Sequence, residues 1–251
     1  MHLEGQQSVL AALRARRRNI ELVLISENSH AERFEETVRE CGYRNVPVRF
    51  APRTELDRIA YGKSHGGVVA LCGRKQLDSL DNLEAILRTR PGWPFLLLLE
   101  GVEDVQHLGY ALRSAEALGA HAVLLKKHLW DFDETTLSRT SSGAFERVPL
   151  IKLSEPAELR KLRKFDIELL GCIAGARRLM YEENLNRPIA LAVGGEKRGL
   201  SGQVRDECTG FVKIPMAPGS ASSLSLTHAA CLLLGEVARQ RLSSRKSEAD
   251  I

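Results

Sequence analysis

The feature that most constrains this chain is a succession of nearly unbroken apolar runs: FLLLLE (95–100), HAVLL (121–125), VPLIKL (148–153), IELLGCIA (167–174), IALAVG (189–194) and FVKIP (211–215). A strand solvated on one face alternates apolar with polar residues, so a run without alternation is covered on both faces. Helical patterns at 108–118, 133–141, 155–164 and 201–208 separate the runs, and a long helix is expected at 222–240. Strands alternating with crossover helices predict an α/β fold with a parallel sheet over residues 94–242. Leu226, Ala230, Leu233 and Val237 share one face of the last helix, a spacing that suits either a core or a subunit interface. The residues after it, 243–251, read as a polar tail.

Residues 1–75 form a separate, smaller α/β pattern, with helices at 6–17, 31–41 and 54–60 and strands ELVLI (21–25), VPVRF (46–50) and GVVALC (67–72). Residues 76–93, ending near Pro91, Gly92 and Pro94, read as a linker with a short helix at 79–88. Charge divides the same way. Residues 1–75 hold 13 Lys/Arg against 9 Asp/Glu, whereas 76–251 hold 23 of each, so the whole +4 excess lies in the first module. Arg14, Arg16, Arg17 and Arg18 form its densest cluster. A cationic helix end suits the helix dipole, and it equally suits contacts to phosphate.

With 43% apolar and 27% charged residues the chain is globular rather than disordered. No apolar run reaches the roughly 20 residues of a membrane-spanning helix. The N-terminal basic cluster follows the apolar stretch, the reverse of a secretory signal, so the expected location is cytoplasmic. Five cysteines, scattered without a C-x-x-C pair, read as reduced buried thiols, with neither a disulfide framework nor a metal site.

In open α/β sheets, ligands sit beyond the carboxyl ends of strands. Three such segments stand out: EGVEDVQHLGYALRSAEALGA (100–120), VGGEKRGLS (193–201) and IPMAPGSASSLSLTHAA (214–230). Gly194, Gly195 and Gly199 make neither G-x-G-x-x-G nor a P-loop, which removes the main support for a Rossmann oxidoreductase or an NTPase. Glycines at a strand end allow a ligand to approach the main chain closely.

Taken in order, these three segments resemble the motifs of the SpoU (TrmH-type) RNA 2'-O-ribose methyltransferases of the SPOUT class. The first motif, D-P-x-N-x-G-x-x-x-R-T-A, is matched by Asp104, Gly109, Arg113 and Ala115; the second, G-x-E-x-x-G-[LM], by Gly194, Glu196, Gly199 and Leu200; the third by Ile214, Pro215, Met216, Ser223 and Leu224. GQQSVLAALRARRRNIELVLI and KSHGGVVAL (63–71) are similar to the L30e-like substrate-binding domain that precedes the catalytic domain in ribosomal-RNA members. The resemblance implies a deep trefoil knot in the C-terminal domain, S-adenosyl-L-methionine as cofactor, a homodimer formed through the knotted domain, and 23S ribosomal RNA as substrate.

It also assigns roles. Arg113 stands beside the target 2'-hydroxyl and assists its deprotonation, by electrostatic stabilisation and through the RNA phosphate rather than as a base in its own right. Glu196 organises the second loop through backbone or Arg113 hydrogen bonds, and Ser223 lies near the ribose or its phosphate. Gly194, Gly195, Ile214, Met216 and Leu224 hold the cofactor, largely through main chain. Arg14, Arg16, Arg17, Arg18 and His65 are the RNA-contact candidates of the first module, while His121 and His228 read as structural. The chain departs from the motifs at His107 and Ser225, where the family carries asparagines. Two other readings follow: a transfer-RNA methyltransferase, and a non-catalytic RNA-binding or ribosome-assembly protein on the same fold.

Overall fold

The computed structural model describes residues 1–27, 31–60, 65–126, 132–220 and 223–249. Contacts divide the chain into two compact units, Met1–Gln76 with Asp131–Arg147, and Leu77–Trp130 with Val148–Ile251.

The first unit contains strands β1 (His2–Glu4), β2 (Ile20–Ser26), β3 (Val48–Ala51) and β4 (Val68–Cys72) and helices α1 (Gln6–Ala15), α2 (Glu35–Tyr43) and α3 (Arg53–Ile59). The sheet order is β1-β4-β2-β3, with β4 antiparallel to both neighbours and β2 parallel to β3. Successive side chains of a strand point to opposite faces. Val23, Ile25, Val68 and Ala70 accordingly join Val9, Leu13 and Cys41 on one face, while Leu24 and Val69 meet Leu56 and Ala51 on the other.

Residues 132–147 belong to this unit. They form α6 (Glu134–Thr140) and α7 (Ala144–Arg147), which pack on α1, a helix buried from Ser8 through Leu13. At the turn between them Gly143 has φ 79, and a Cβ there would lie 2.7 Å from both Ala11 Cβ and Gln7 O, so the approach requires glycine. The segment expected as a crossover between two catalytic strands thus closes the N-terminal unit.

The second unit has seven strands, all parallel: β5 (Phe95–Glu100), β6 (Ala122–Lys126), β7 (Leu150–Leu153), β8 (Glu168–Cys172), β9 (Arg178–Leu179), β10 (Ile189–Gly194) and β11 (Gly210–Lys213). Their order is β7-β6-β5-β10-β8-β11-β9, which meets the expectation of a parallel sheet in an α/β fold. Leu96, Leu98, Leu124, Ile151, Ala190 and Ala192 pack with Leu159, Leu162 and Val204 on one face. Leu97, Leu99, Leu191 and Val193 are equally buried on the other, the side of α5 (Val105–Ala117) and α9 (Leu226–Ala249). The remaining helices are α4 (Leu83–Leu87) and α8 (Gly202–Glu207).

Two differences from the sequence expectation concern helix type and length. Pro156–Phe165 is a 3-10 helix, fixed at its start by reciprocal Glu155 and Glu158 capping bonds. The last helix begins at Leu226, passes through Gly235 and continues to Ala249, with no glycine or proline after 235 to stop it near the expected end. No described helix is long and apolar enough to cross a membrane.

Candidate active site

Because β10 lies beside β5, the loops after these two strands emerge together. With the start of α9 they enclose a cleft of about 630 Å³ lined by Glu100–Asp104, His107, Lys126, Gly195–Gly199, Ser201 and Leu226. Backbone packing shapes it. A Cβ on Gly194 would sit 2.1 Å from the carbonyl carbon of Gly199, and one on Gly195 would sit 2.6 Å from the Gly101 oxygen. The Gly199 amide donates to the Gly195 carbonyl at 2.8 Å, and Gly199 itself has φ 61. The glycines therefore let the second loop fold back on itself and against the first.

One polar tether joins these loops. The Glu100 carboxylate accepts hydrogen bonds from the Ser201 amide and hydroxyl, both at 2.8 Å. The same hydroxyl accepts from the Val204 amide at 3.3 Å and so caps α8. Neither residue stood out in the sequence. The available signal was a serine placed as an N-cap and a lone acid closing an apolar strand.

The first turn of α5 supplies the cleft's other wall. Asp104 caps the helix by accepting from the amides of Gln106 at 2.6 Å and His107 at 3.1 Å, and these bonds hold its carboxyl below the usual carboxylate range. His107 Nδ1 lies 3.7 Å from Glu196 Oε1, and its carbonyl accepts from Thr227 Oγ1 of α9 at 3.4 Å. Glu196 is thus beside His107, whereas Arg113, one of the two kinds of partner expected for it beside backbone amides, lies elsewhere on α5. Arg113 is exposed on the stripe Gln106, Tyr110, Arg113, Ala117, turned away from the buried face of α5, and it does not line the cleft.

The third segment emerges farther off, since β8 stands between β10 and β11. Ile214, Met216, Ser223 and Leu224 do not line the cleft; Met216 is 45% exposed beyond the end of β11. Ser225 hydrogen-bonds His228 Nδ1 through its hydroxyl at 2.7 Å at the start of α9, a local bond that accounts for His228. The strand ends of β10, β8 and β11 offer main chain freed of side chains at Gly194 and Gly195, and the apolar surface of Met216. That combination fits an adenosine group, which presents a flat apolar base and polar edges that main chain can read.

In the first unit the arginine cluster is not one surface. Arg18 is fully buried: its Nε and Nη2 meet both oxygens of Glu146 at 2.9 and 2.8 Å, and Nη2 also lies 3.1 Å from Glu134. Burial opposes its charge, but Glu146 and Glu134 outweigh it and the guanidinium is held more firmly protonated than usual. Arg18 is therefore a structural ion pair and not an RNA contact. His65 is corrected for the same reason. It is buried, its Nε2 is 2.9 Å from Asp57 Oδ1, and its Nδ1 accepts from the Gly67 amide at 3.1 Å. Arg14 is paired with Glu36 and Glu40; Arg16 is exposed at the left-handed C-cap of α1, and Arg17 is half-buried.

His121 is structural, as expected. It is buried with Nδ1 accepting from the Phe95 amide at 3.2 Å and Nε2 3.3 Å from the Arg90 carbonyl. The five cysteines are free thiols, and burial pushes Cys41, Cys172 and Cys208 up to about 11. Among the described residues no cluster of His, Cys, Asp or Glu could hold a metal ion.

Residues 94–235 match the SpoU rRNA methylase family, and residues 2–77 match the RNA 2'-O ribose methyltransferase substrate-binding family. The chain is 35% identical over 240 residues to the 23S rRNA (guanosine-2'-O-)-methyltransferase RlmB of Ralstonia nicotianae, covering 95% of each chain. It is 34% identical over 239 residues to the protein of the same name from Pseudomonas aeruginosa, covering 94% of this chain and 95% of the other. Among solved structures, the SpoU methyltransferase AviRb from Streptomyces viridochromogenes aligns with a TM-score of 0.78 at 25% identity, over 97% of this chain and 90% of that one. AviRb has also been solved in complex with AdoMet.

Proposed function

The chain belongs to the SpoU rRNA methylase family and is an S-adenosylmethionine-dependent RNA 2'-O-ribose methyltransferase; we propose that its substrate is a guanosine of 23S ribosomal RNA. The observation that carries the proposal is the paired match, a catalytic segment together with a substrate-binding segment, along relatives named for that reaction over nearly their whole length.

S-adenosylmethionine, when bound, supplies an activated methyl group. Gly194, Gly195, Ile214, Met216 and Leu224 hold it over the ends of β10, β8 and β11, and the neighbouring cleft takes the target nucleotide. Glu196 orders the glycine loop at the boundary between them, and Ser223 contacts the ribose or its phosphate. Arg113 stabilises negative charge at the reacting oxygen as a fixed cation, a guanidinium being a poor base.

The C-terminal domain is knotted and the protein is a cytoplasmic homodimer. The dimer is supported by Tyr110 on α5 and Leu232 on α9, 46% and 42% exposed on two helices that pack together. Arg113, one turn from Tyr110, reaches the site across that interface. Residues 1–75 recognise RNA, with Arg14, Arg16 and Arg17 as the phosphate contacts and 76–93 as the linker.

The non-catalytic reading has one motive, the replacement of two motif asparagines by His107 and Ser225. Both readings meet one test: calorimetry with S-adenosylmethionine, followed by methyl transfer to 23S ribosomal RNA and to transfer RNA. Binding with transfer to 23S RNA supports the proposal. Transfer to transfer RNA alone, or no binding at millimolar cofactor, overturns it.

A further inference from the structure

Ribose methylation must dispose of a proton. A 2'-hydroxyl is a poor acid, so a positioned base contributes strongly to its reactivity. Among the described residues lining the cleft, the carboxylates are engaged: Glu100 with Ser201, Glu103 with Lys197 at 2.7 Å, Asp104 with the α5 amides, and Glu196 beside His107. Arg113 does not line it within one chain, and a guanidinium is a poor base, so its part is the charge stabilisation given above. His107 does, and its surroundings fix it from three sides. Its amide is held by Asp104, its carbonyl by Thr227, and its Nδ1 faces Glu196, while Nε2 meets no described protein group.

We propose that His107, with Glu196 behind its Nδ1, is the catalytic base that accepts the proton of the target 2'-hydroxyl. This rests on the methyltransferase reading given above. In the step, the ribose oxygen forms its bond to the methyl carbon as the carbon–sulfur bond breaks, its electron pair staying on sulfur. The hydroxyl proton passes to Nε2 of the neutral imidazole, the Glu196 carboxylate stabilises the imidazolium, and the proton then leaves to water. The motif asparagine carries no group able to take that proton at neutral pH, so the departure at His107 is what places a titratable base here.

The charged and titratable groups around His107 are compatible with this cycle. Glu196, Lys197 and Arg198 come from the loop after β10, Glu103 and Asp104 from the loop after β5, and Lys126 from the end of β6. From α9 come Thr227 and His228, the latter bonded to Ser225. Lys197 is paired with Glu103, which leaves Glu196 as the ionised group nearest the imidazole ring.

The test compares wild type, His107→Asn, His107→Gln and Glu196→Gln in single-turnover methyl transfer to 23S ribosomal RNA across about pH 5 to 8. It is joined by calorimetry with S-adenosylmethionine on each variant. The expected result is a loss of about 10²–10⁴-fold in rate for both His107 variants with cofactor binding kept. The acid limb of the wild-type profile disappears in them, and Glu196→Gln lowers the rate with cofactor binding kept. A His107→Asn enzyme with the wild-type rate and profile overturns the proposal and leaves the methyltransferase reading intact. Wild-type protein that neither binds the cofactor nor methylates RNA overturns both. A Glu196→Gln enzyme with the wild-type rate and profile overturns the pairing on which the base depends.

Discussion

Arg16 and Arg18 are two positions apart in one basic run, yet one is exposed at a helix end and the other is sealed inside the N-terminal unit with Glu146. Local charge cannot report burial, because the partner that buries Arg18 comes from 128 residues along the chain. Truncating one member of a buried pair leaves the other charge desolvated and alone, so Arg18→Ala is expected to cost about 3–5 kcal/mol. Arg16→Ala leaves stability essentially unchanged and weakens RNA binding. Denaturant unfolding with RNA-binding titrations separates the two. His121 predicts a pH dependence of known sign. Burial holds its imidazole below the ordinary range, whereas the unfolded chain takes up a proton near pH 6.5. Its contribution is therefore complete above about pH 6.5 and is lost as pH falls through the lower folded value. His121→Gln should flatten the decline of unfolding free energy between about pH 7 and 5.

At the scale of elements, the sequence was most legible where one strand or helix carried its own pattern. FLLLLE and IALAVG occupy β5 and β10 with the expected bounds, since continuous apolar character needs no neighbour to be read. The strands His2–Glu4 and Arg178–Leu179 and the helix Ala144–Arg147 were not foreseen, being too short to show a period. The three site loops were legible as motifs in order. The Glu100–Ser201 tether was not, because it depends on β5 and β10 being neighbours across 101 residues. The separation of Arg113 from Glu196 likewise follows from helical geometry rather than from spacing along the chain. Asp104→Ala removes the α5 cap and should cost about 0.5–2 kcal/mol. Because the same cap holds the His107 amide, the variant should also lower methyl transfer, which thermal unfolding and turnover measured together will show. Gly195→Ala places a methyl group 2.6 Å from the Gly101 oxygen; it should reduce cofactor affinity, read by calorimetry, more than Gly202→Ala at an open position.

For the whole molecule, the charge excess and the chemistry fall in different units. The +4 lies in residues 1–75, while the cleft is built wholly from the seven-stranded unit. Burial of Arg18 and pairing of Arg14 leave less free cationic surface than the count implies, so the salt dependence of RNA binding should be shallower than four uncompensated arginines would give. The segment 132–147 interrupts the second unit in sequence. It departs from the catalytic sheet after β6 and completes the N-terminal core before returning to β7, so neither unit is continuous in sequence. The central claim, ribose methylation of a 23S guanosine, is tested most directly by mapping 2'-O-methyl groups across ribosomal and transfer RNA from cells with and without the gene. The account predicts one methyl group missing from a guanosine of 23S RNA and restored by the wild-type gene. An unchanged ribosomal map, or a loss confined to transfer RNA, would contradict it.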